Sequence, residues 1–171
     1  MNVSEFDESF DDDERRVQGA ILTQPLAGLI HGPPVTVLGT ATLAQAVQRL
    51  QEKHIGCLLV VGADGKLIGI FTERDLLNRV VAKPVDLAVA RVADHMTAKP
   101  ETLVATDKVA WALNKMHLGG FRHVPIVDAH GKPVGVLSVK DIVDFIVELF
   151  PAAVLNLPPD PSKEARVLDG G

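Results

Sequence analysis

The sequence predicts an α/β (α+β) fold made of two tandem strand-helix-strand-strand-helix units packed as a pseudo-twofold pair, and three observations lead there. Shifted by 66 residues, positions 34–77 align with 100–143 without a gap, and 11 of the 44 pairs are identical, against about three expected from composition. The identities include Pro34/Pro100, Thr36/Thr102, Thr40/Thr106, Gly65/Gly131, Lys66/Lys132, Gly69/Gly135 and Asp75/Asp141, residue types that mark turns, helix starts and ligand contacts. Within each copy, apolar runs with strand and helix periodicity follow in the same order. Both copies then end alike, in Gly69-Ile70-Phe71-Thr72-Glu73-Arg74-Asp75 and in Gly135-Val136-Leu137-Ser138-Val139-Lys140-Asp141.

Residues 1–23 read as an acidic N-terminal arm, in which Val17, Ala20, Ile21 and Leu22 begin an apolar stretch able to lie against the body. The first unit occupies 24–82. Val35 to Leu38 is a short strand, and Thr40 is the expected N-cap of a helix whose apolar positions Leu43, Ala46, Val47 and Leu50 share one face. Cys57 to Val61 reads as a buried strand, Ala63 to Lys66 as a hairpin turn and Leu67 to Phe71 as the returning strand. A helix from Thr72 to about Ala82 closes the unit, and Lys83-Pro84 breaks it into a linker over 83–92. The second unit, 93–150, repeats this order. Asp94 to Thr97 lead into Pro100 as Gly28 to His31 lead into Pro34, and a helix from Thr106 carries Val109, Ala112, Leu113 and Met116. Strands Val124 to Val127 and Pro133 to Leu137 flank the turn Ala129 to Lys132, and a helix runs from Ser138 to about Phe150. Residues 151–171, with Pro158, Pro159 and Pro161, read as an extended tail.

A chain of 171 residues can hold two small halves that share a core, and units of roughly 60 residues would each be marginal alone. A hydrophobic fraction of 47% with only 4% aromatics and a mean hydropathy of +0.20 imply aliphatic surface left uncovered in a monomer, hence a homo-oligomer. The net charge is −5, but seven acids crowd residues 1–16 against Arg15 and Arg16, leaving 15 acidic and 15 basic residues elsewhere. A neutral body with an acidic arm repels a phosphate backbone, so no nucleic-acid polymer is expected as partner. The single Cys57 allows no intrachain disulfide and no thiolate zinc site. No run of 18 apolar residues occurs and the N-terminus is acidic, so the expectation is a cytoplasmic protein without a membrane partner.

Thr72-x-x-Asp75 and Ser138-x-x-Asp141 each follow an apolar strand and open an amphipathic helix, which admits two readings. As a capping box the pair stabilises a helix start by about 1 kcal/mol and binds nothing. As a ligand site, the free N–H groups and positive dipole of a first helical turn suit phosphate, while a nearby carboxylate accepts both hydroxyls of a ribose. Duplication of the pair favours the second reading.

With those residues in view, the chain resembles tandem CBS-domain proteins, the stand-alone Bateman modules. The likeness covers about residues 24–150 and rests on the doubled element order, the two terminal motifs, Arg122-His123-Val124-Pro125-Ile126-Val127-Asp128, and Asp94-His95-Met96-Thr97 between the units. It implies a non-enzymatic regulatory module that binds adenosine-containing ligands (AMP, ADP, ATP, NAD or S-adenosylmethionine) in two clefts and signals by conformational change. It implies no cofactor beyond that regulatory ligand, a flat homodimer formed through helices, and a regulated protein partner, since the sequence holds no effector domain. Carried over, the first cleft would use Asp75 for ribose, Thr72 for phosphate, Arg122 and His123 as phosphate partners and Pro100 to Thr102 beside the base. The second would use Asp141 and Ser138, with backbone from Pro34 to Thr36 and at Gly56 and Cys57. Arg74 and Lys140, each just before the Asp, either assist or stay solvated. Because Gly56-Cys57 stands where the second unit has Arg122-His123, the Asp75 cleft is expected to hold the more highly phosphorylated ligand. Leu58-Leu59 in place of Val124-Pro125 departs from the family pattern and leaves the shape of that first-unit strand open.

Other functions have less support. His31, His54, His95, His117, His123 and His130 show no metal-ligand spacing, so no metal is expected; Trp111 and Met116 read as helix packing and Cys57 as a small buried residue. No nucleophile elbow or phosphate loop is present, and Ser4, Ser9 and Ser162 lie in the tails. Ser138 with Asp141 and a distant His would be needed for hydrolysis. A structural dimerisation module without ligand is the other alternative.

Overall fold

The computed structural model describes residues 15–149. The acidic stretch before residue 15, the expected helix end at Phe150 and the proline-rich tail lie outside the described residues. A helix covers 15–23 (α1), and its Ile21 packs against the core of the second repeat while Leu22 stays exposed.

In the first repeat, β1 (Thr36–Leu38) runs parallel to β2 (Cys57–Val61), β2 pairs antiparallel with β3 (Leu67–Thr72), and α2 (Leu43–Lys53) connects β1 to β2. The helical turn Glu73–Asp75 and a π-helical stretch Leu76–Val81 follow β3 and together form α3. A short strand the sequence did not announce, β4 (Thr97–Ala98), pairs antiparallel with β3 and completes a sheet of order β1-β2-β3-β4. The second repeat holds α4 (Val109–Gly119), the antiparallel pair β5 (His123–Val127) and β6 (Pro133–Ser138), and α5 (Val139–Leu149).

The register is duplicated along with the sequence. Cys57 faces Thr72 as His123 faces Ser138, and Val37 faces Val60 as Leu103 faces Ile126. The first strand of the second repeat, however, shrinks to that single Leu103–Ile126 bridge. In the first repeat Leu59 N–H donates to Val35 O at 3.1 Å; its counterpart Pro125 has no N–H to give, so the ladder stops. Replacing proline by Leu58-Leu59 therefore leaves the first-repeat strand the better paired, and all five residues of β2 are buried.

The helix starts differ from expectation. Thr42, not Thr40, caps α2: its hydroxyl accepts from Gln45 N–H at 3.3 Å while the Gln45 side chain accepts from Thr42 N–H at 3.0 Å. This reciprocal box needs Gln three residues after the Thr, and the residue three after Thr40 is Leu43. Likewise α4 begins after Lys108, without a side-chain cap, rather than at Thr106.

The two repeats exchange their lead-in segments. Leu26 N–H donates to Asp107 O and Ala27 N–H to Ala105 O, while at offset 66 Val92 N–H donates to Ala41 O and Ala93 N–H to Gly39 O. The turn Leu26–Leu29 thus fills the second core, with Leu103, Val109, Ala112, Met116, Val124, Ile126, Leu137 and Ile142. Val92, in the turn Val92–Asp94, fills the first, with Val37, Leu43, Ala46, Leu50, Leu58, Val60, Phe71 and Val80. Cys57, Leu59 and Ile70 form an apolar seam with Leu67 and Val136 where the repeats meet, and Leu67 N–H donates to Gly131 O across it. Gly69 and Gly135 are fixed by this exchange, because a Cβ on either would collide with the side chain of Met96 or Ile30, themselves a pair at offset 66. Met116 is buried as expected, but Trp111 is 60% exposed on α4 and fills no core.

Candidate functional site

Two clefts flank the seam. The first, about 380 Å³, is lined by Thr72, Arg74, Asp75, Pro100, Arg122 and His123, together with Glu73, Thr97, Lys99 and Phe121. At its floor β3 runs into the first turn of α3, and the capping box forms: Thr72 N–H and Oγ1 donate to Asp75 Oδ2 at 3.0 and 2.7 Å, and Asp75 N–H donates back to Thr72 Oγ1 at 3.2 Å. Asp75 is only 7% exposed and is the sole buried charged residue among those described. Its Oδ1 accepts from Thr97 Oγ1 at 3.0 Å and lies 3.4 Å from Arg79 Nε. Arg74 donates to Gly120 O at 2.8 Å, placing its charge on the C-terminus of α4, where it complements the helix dipole.

The second cleft, about 790 Å³, is lined by Pro34, Gly56, Cys57, Ser138, Lys140 and Asp141, with His31, His54 and Val136. Ser138 N–H and Oγ donate to Asp141 Oδ2 at 2.6 and 2.7 Å, and Asp141 N–H donates to Ser138 Oγ at 3.2 Å. Lys140 pairs with Asp144, whose carboxylate raises the pKa of the ammonium. Both the capping arrangement and the cleft are therefore present in each repeat.

Arg122, His123, Gly56 and Glu73 line both clefts. The Asp141 cleft consequently does not lack the Arg122-His123 pair, and the expected ranking of the clefts by phosphate loses its premise. Burial, followed by the adjacent Arg122 guanidinium, lowers the pKa of His123, so near neutral pH the pair carries one charge rather than two. Burial first, then the carboxylates of Asp141 and Glu73, pushes the Cys57 thiol up to about 12, leaving it protonated in the wall of the Asp141 cleft. Neither Thr36 nor Thr102 lines a cleft; Thr36 lies in β1, where its carbonyl accepts from Arg49 at 2.7 Å. Among the described residues no three His, Cys, Asp or Glu side chains converge as a metal site would require. No helix among them is long and apolar enough to cross a membrane.

Sequence reasoning passed over Glu73, Thr97, Arg79 and His31. The shift of 66 residues does carry a signal for two of them, since it aligns His31 with Thr97 in the duplicated lead-ins and so places both beside the sites.

The sequence model of the CBS domain matches residues 27–82 and 92–148, more than half of the chain. The chain belongs to the CBS domain family. Its two CBS motifs form one pseudo-symmetric pair. A 17.7 kDa protein of Acidianus ambivalens is 30% identical over 108 residues, 63% of this chain and 64% of that protein. The CBS domain-containing protein CBSCBSPB5 of Arabidopsis thaliana is 32% identical over 116 residues, 67% of this chain but 21% of its own length. The chain thus spans less than two thirds of these relatives. Among solved structures, the CBS domain protein PAE2072 of Pyrobaculum aerophilum, complexed with AMP, is 31% identical with a TM-score of 0.66 over 75% of this chain and 99% of that one. The CBS domain pair of MJ0100, complexed with 5′-methylthioadenosine and S-adenosyl-L-methionine, shares the fold at 24% identity and a TM-score of 0.65, over 71% of this chain and 98% of that one.

Proposed function

We propose that this CBS pair is a non-enzymatic sensor that takes an adenosine-containing ligand, such as AMP, ADP, ATP, NAD or S-adenosylmethionine, between its two motifs. The observation that carries the reading is the convergence, in each cleft, of the hydroxyl-Asp pair of one repeat with residues of the other. Thr72 and Asp75 meet Pro100, Arg122 and His123; Ser138 and Asp141 meet Pro34, Gly56 and Cys57. Either cleft is large enough for a small-molecule ligand. A 31% identical relative held AMP. In this chain a carboxylate would accept the ribose hydroxyls, and the N–H groups of the first helical turn with Arg122 would face phosphate. Residues of both repeats close on one ligand, so occupancy shifts their relative orientation and thereby what a protein partner meets.

Leu77, Val81, Trp111 and Val143, exposed on α3, α4 and α5, supply the apolar surface for a homodimer. The same surface favours a second reading, a dimerisation module without ligand. Isothermal calorimetry of the full chain with the five ligands separates the two. Binding by at least one of them, weakened when the ribose 2′-hydroxyl is removed, supports the sensor. No heat and no rise in melting temperature with any of them leaves only the dimerisation module, and steady turnover of a nucleotide would make the protein a hydrolase instead.

A further inference from the structure

Asp75 and Asp141 spend one oxygen in the same way, on the N–H and hydroxyl of the residue three positions earlier. Their second oxygens differ. An ionised carboxylate offers about four acceptor positions. Oδ1 of Asp75 meets Thr97 Oγ1 and Arg79 Nε, so all four are addressed from within the chain. Arg79 is itself anchored, donating to His95 O at 3.3 Å, to Met96 O and to Thr97 Oγ1 at 3.2 Å. It therefore ties α3 to β4 through the carboxylate that a ribose would need.

At offset 66 Thr97 becomes His31 and Arg79 becomes Phe145. Phe145 packs against the second core and brings no donor. Among the described residues Oδ1 of Asp141 has no hydrogen-bond or ion-pair partner, and Asp141 lines the larger cleft. Two open acceptor positions match the two O–H donors of a cis-diol.

We infer that the two clefts are not interchangeable: the Asp141 cleft takes the ribose diol, and Arg79 with Thr97 holds the Asp75 carboxylate occupied, so that Arg79 limits the chain to one adenosine ligand. The inference rests on the adenosine reading of the clefts and deepens it. A ligand entering the Asp75 cleft would first have to break a charge-assisted contact and one side-chain hydrogen bond at Oδ1, whereas at Oδ1 of Asp141 it displaces only solvent.

The test is calorimetric stoichiometry of the full chain with AMP, ATP and S-adenosylmethionine, for wild type, Asp141→Asn, Asp75→Asn and the double variant Arg79→Met with Thr97→Val. Circular dichroism checks that each variant is folded. Expected are one ligand per wild-type chain and a loss of about 100-fold in affinity for Asp141→Asn, the size of one or two charge-assisted bonds. Asp75→Asn should still take up one ligand per chain, at Asp141. The double variant should gain a second ligand per chain. Two equal sites in the wild type, or loss of binding in Asp75→Asn but not in Asp141→Asn, or a double variant that still binds one, would overturn the inference while leaving the adenosine reading intact. Silence of the wild type toward these three ligands and toward ADP and NAD would overturn both. The wild-type stoichiometry needs no variant, so a poorly folding Asp75→Asn does not spoil the decision.

Discussion

Replacing Leu26 by alanine should loosen the second repeat although Leu26 belongs, by sequence, to the first. The side chain is fully buried in the second core, and the backbone on either side is pinned to Asp107 and Ala105. A buried leucine cut to alanine loses its transfer free energy and leaves a cavity, together about 2.7 to 5.0 kcal/mol. Because both flanking hydrogen bonds hold the segment in place, the cavity has little freedom to collapse, and about 3 kcal/mol or more is expected. For a chain of this length that corresponds to a melting point lowered by about 6 to 12 °C. Urea unfolding at fixed protein concentration measures it, with Leu22→Ala as the control: Leu22 is exposed on α1 and should cost less than about 0.5 kcal/mol. Hydrogen exchange should speed up first in α4 and β5. A cost for Leu26→Ala below about 1 kcal/mol, or exchange that accelerates in α2 and β2 instead, would refute the exchanged lead-ins.

Three further outcomes follow from the same geometry. Thr42→Ala should destabilise by about 1 kcal/mol in urea unfolding and Thr40→Ala by much less, because only Thr42 closes a box with Gln45. The lowered pKa of His123 means that the unfolded chain takes up its proton first. The associated stability is therefore complete above about pH 6.5 and is lost as pH falls toward the lowered folded value; His123→Gln should flatten that limb of the stability-pH curve. Cys57, with its pKa pushed up to about 12, should react with a thiol reagent at pH 8 far more slowly in the folded than in the urea-unfolded chain, measured by absorbance.

Much of the fold could be read from the duplication, since a shift of 66 residues carries strand pairing as well as identity: Cys57–Thr72 and His123–Ser138 occupy the same register. What escaped was decided by single residues acting across the fold. Gln45, rather than any threonine, chose the start of α2, and the missing N–H of Pro125 cut the first strand of the second repeat to one bridge. Trp111 looked like packing because its helix is apolar nearly all round, yet the core is filled by Val109, Ala112 and Met116 from the same helix. The hydroxyl-Asp pairs were legible because helix capping is local. The Asp75-Thr97-Arg79 cluster was not, because its hydroxyl arrives from 22 residues away on a strand that exists only once the lead-ins are exchanged. The expected inequality of the clefts drew on Arg122 and His123, which line both, whereas the inequality inferred above draws on Arg79 and Phe145.

The most direct measurement is a crystal structure of the full chain grown with whichever adenosine compound binds it most tightly. Electron density for the nucleoside beside α5, with both ribose hydroxyls within about 2.5 to 2.8 Å of the Asp141 carboxylate and the Arg79–Asp75 contact intact, is the predicted result. Density for the sugar against Asp75 with the Asp141 cleft empty, or for no nucleoside in either cleft, would contradict it.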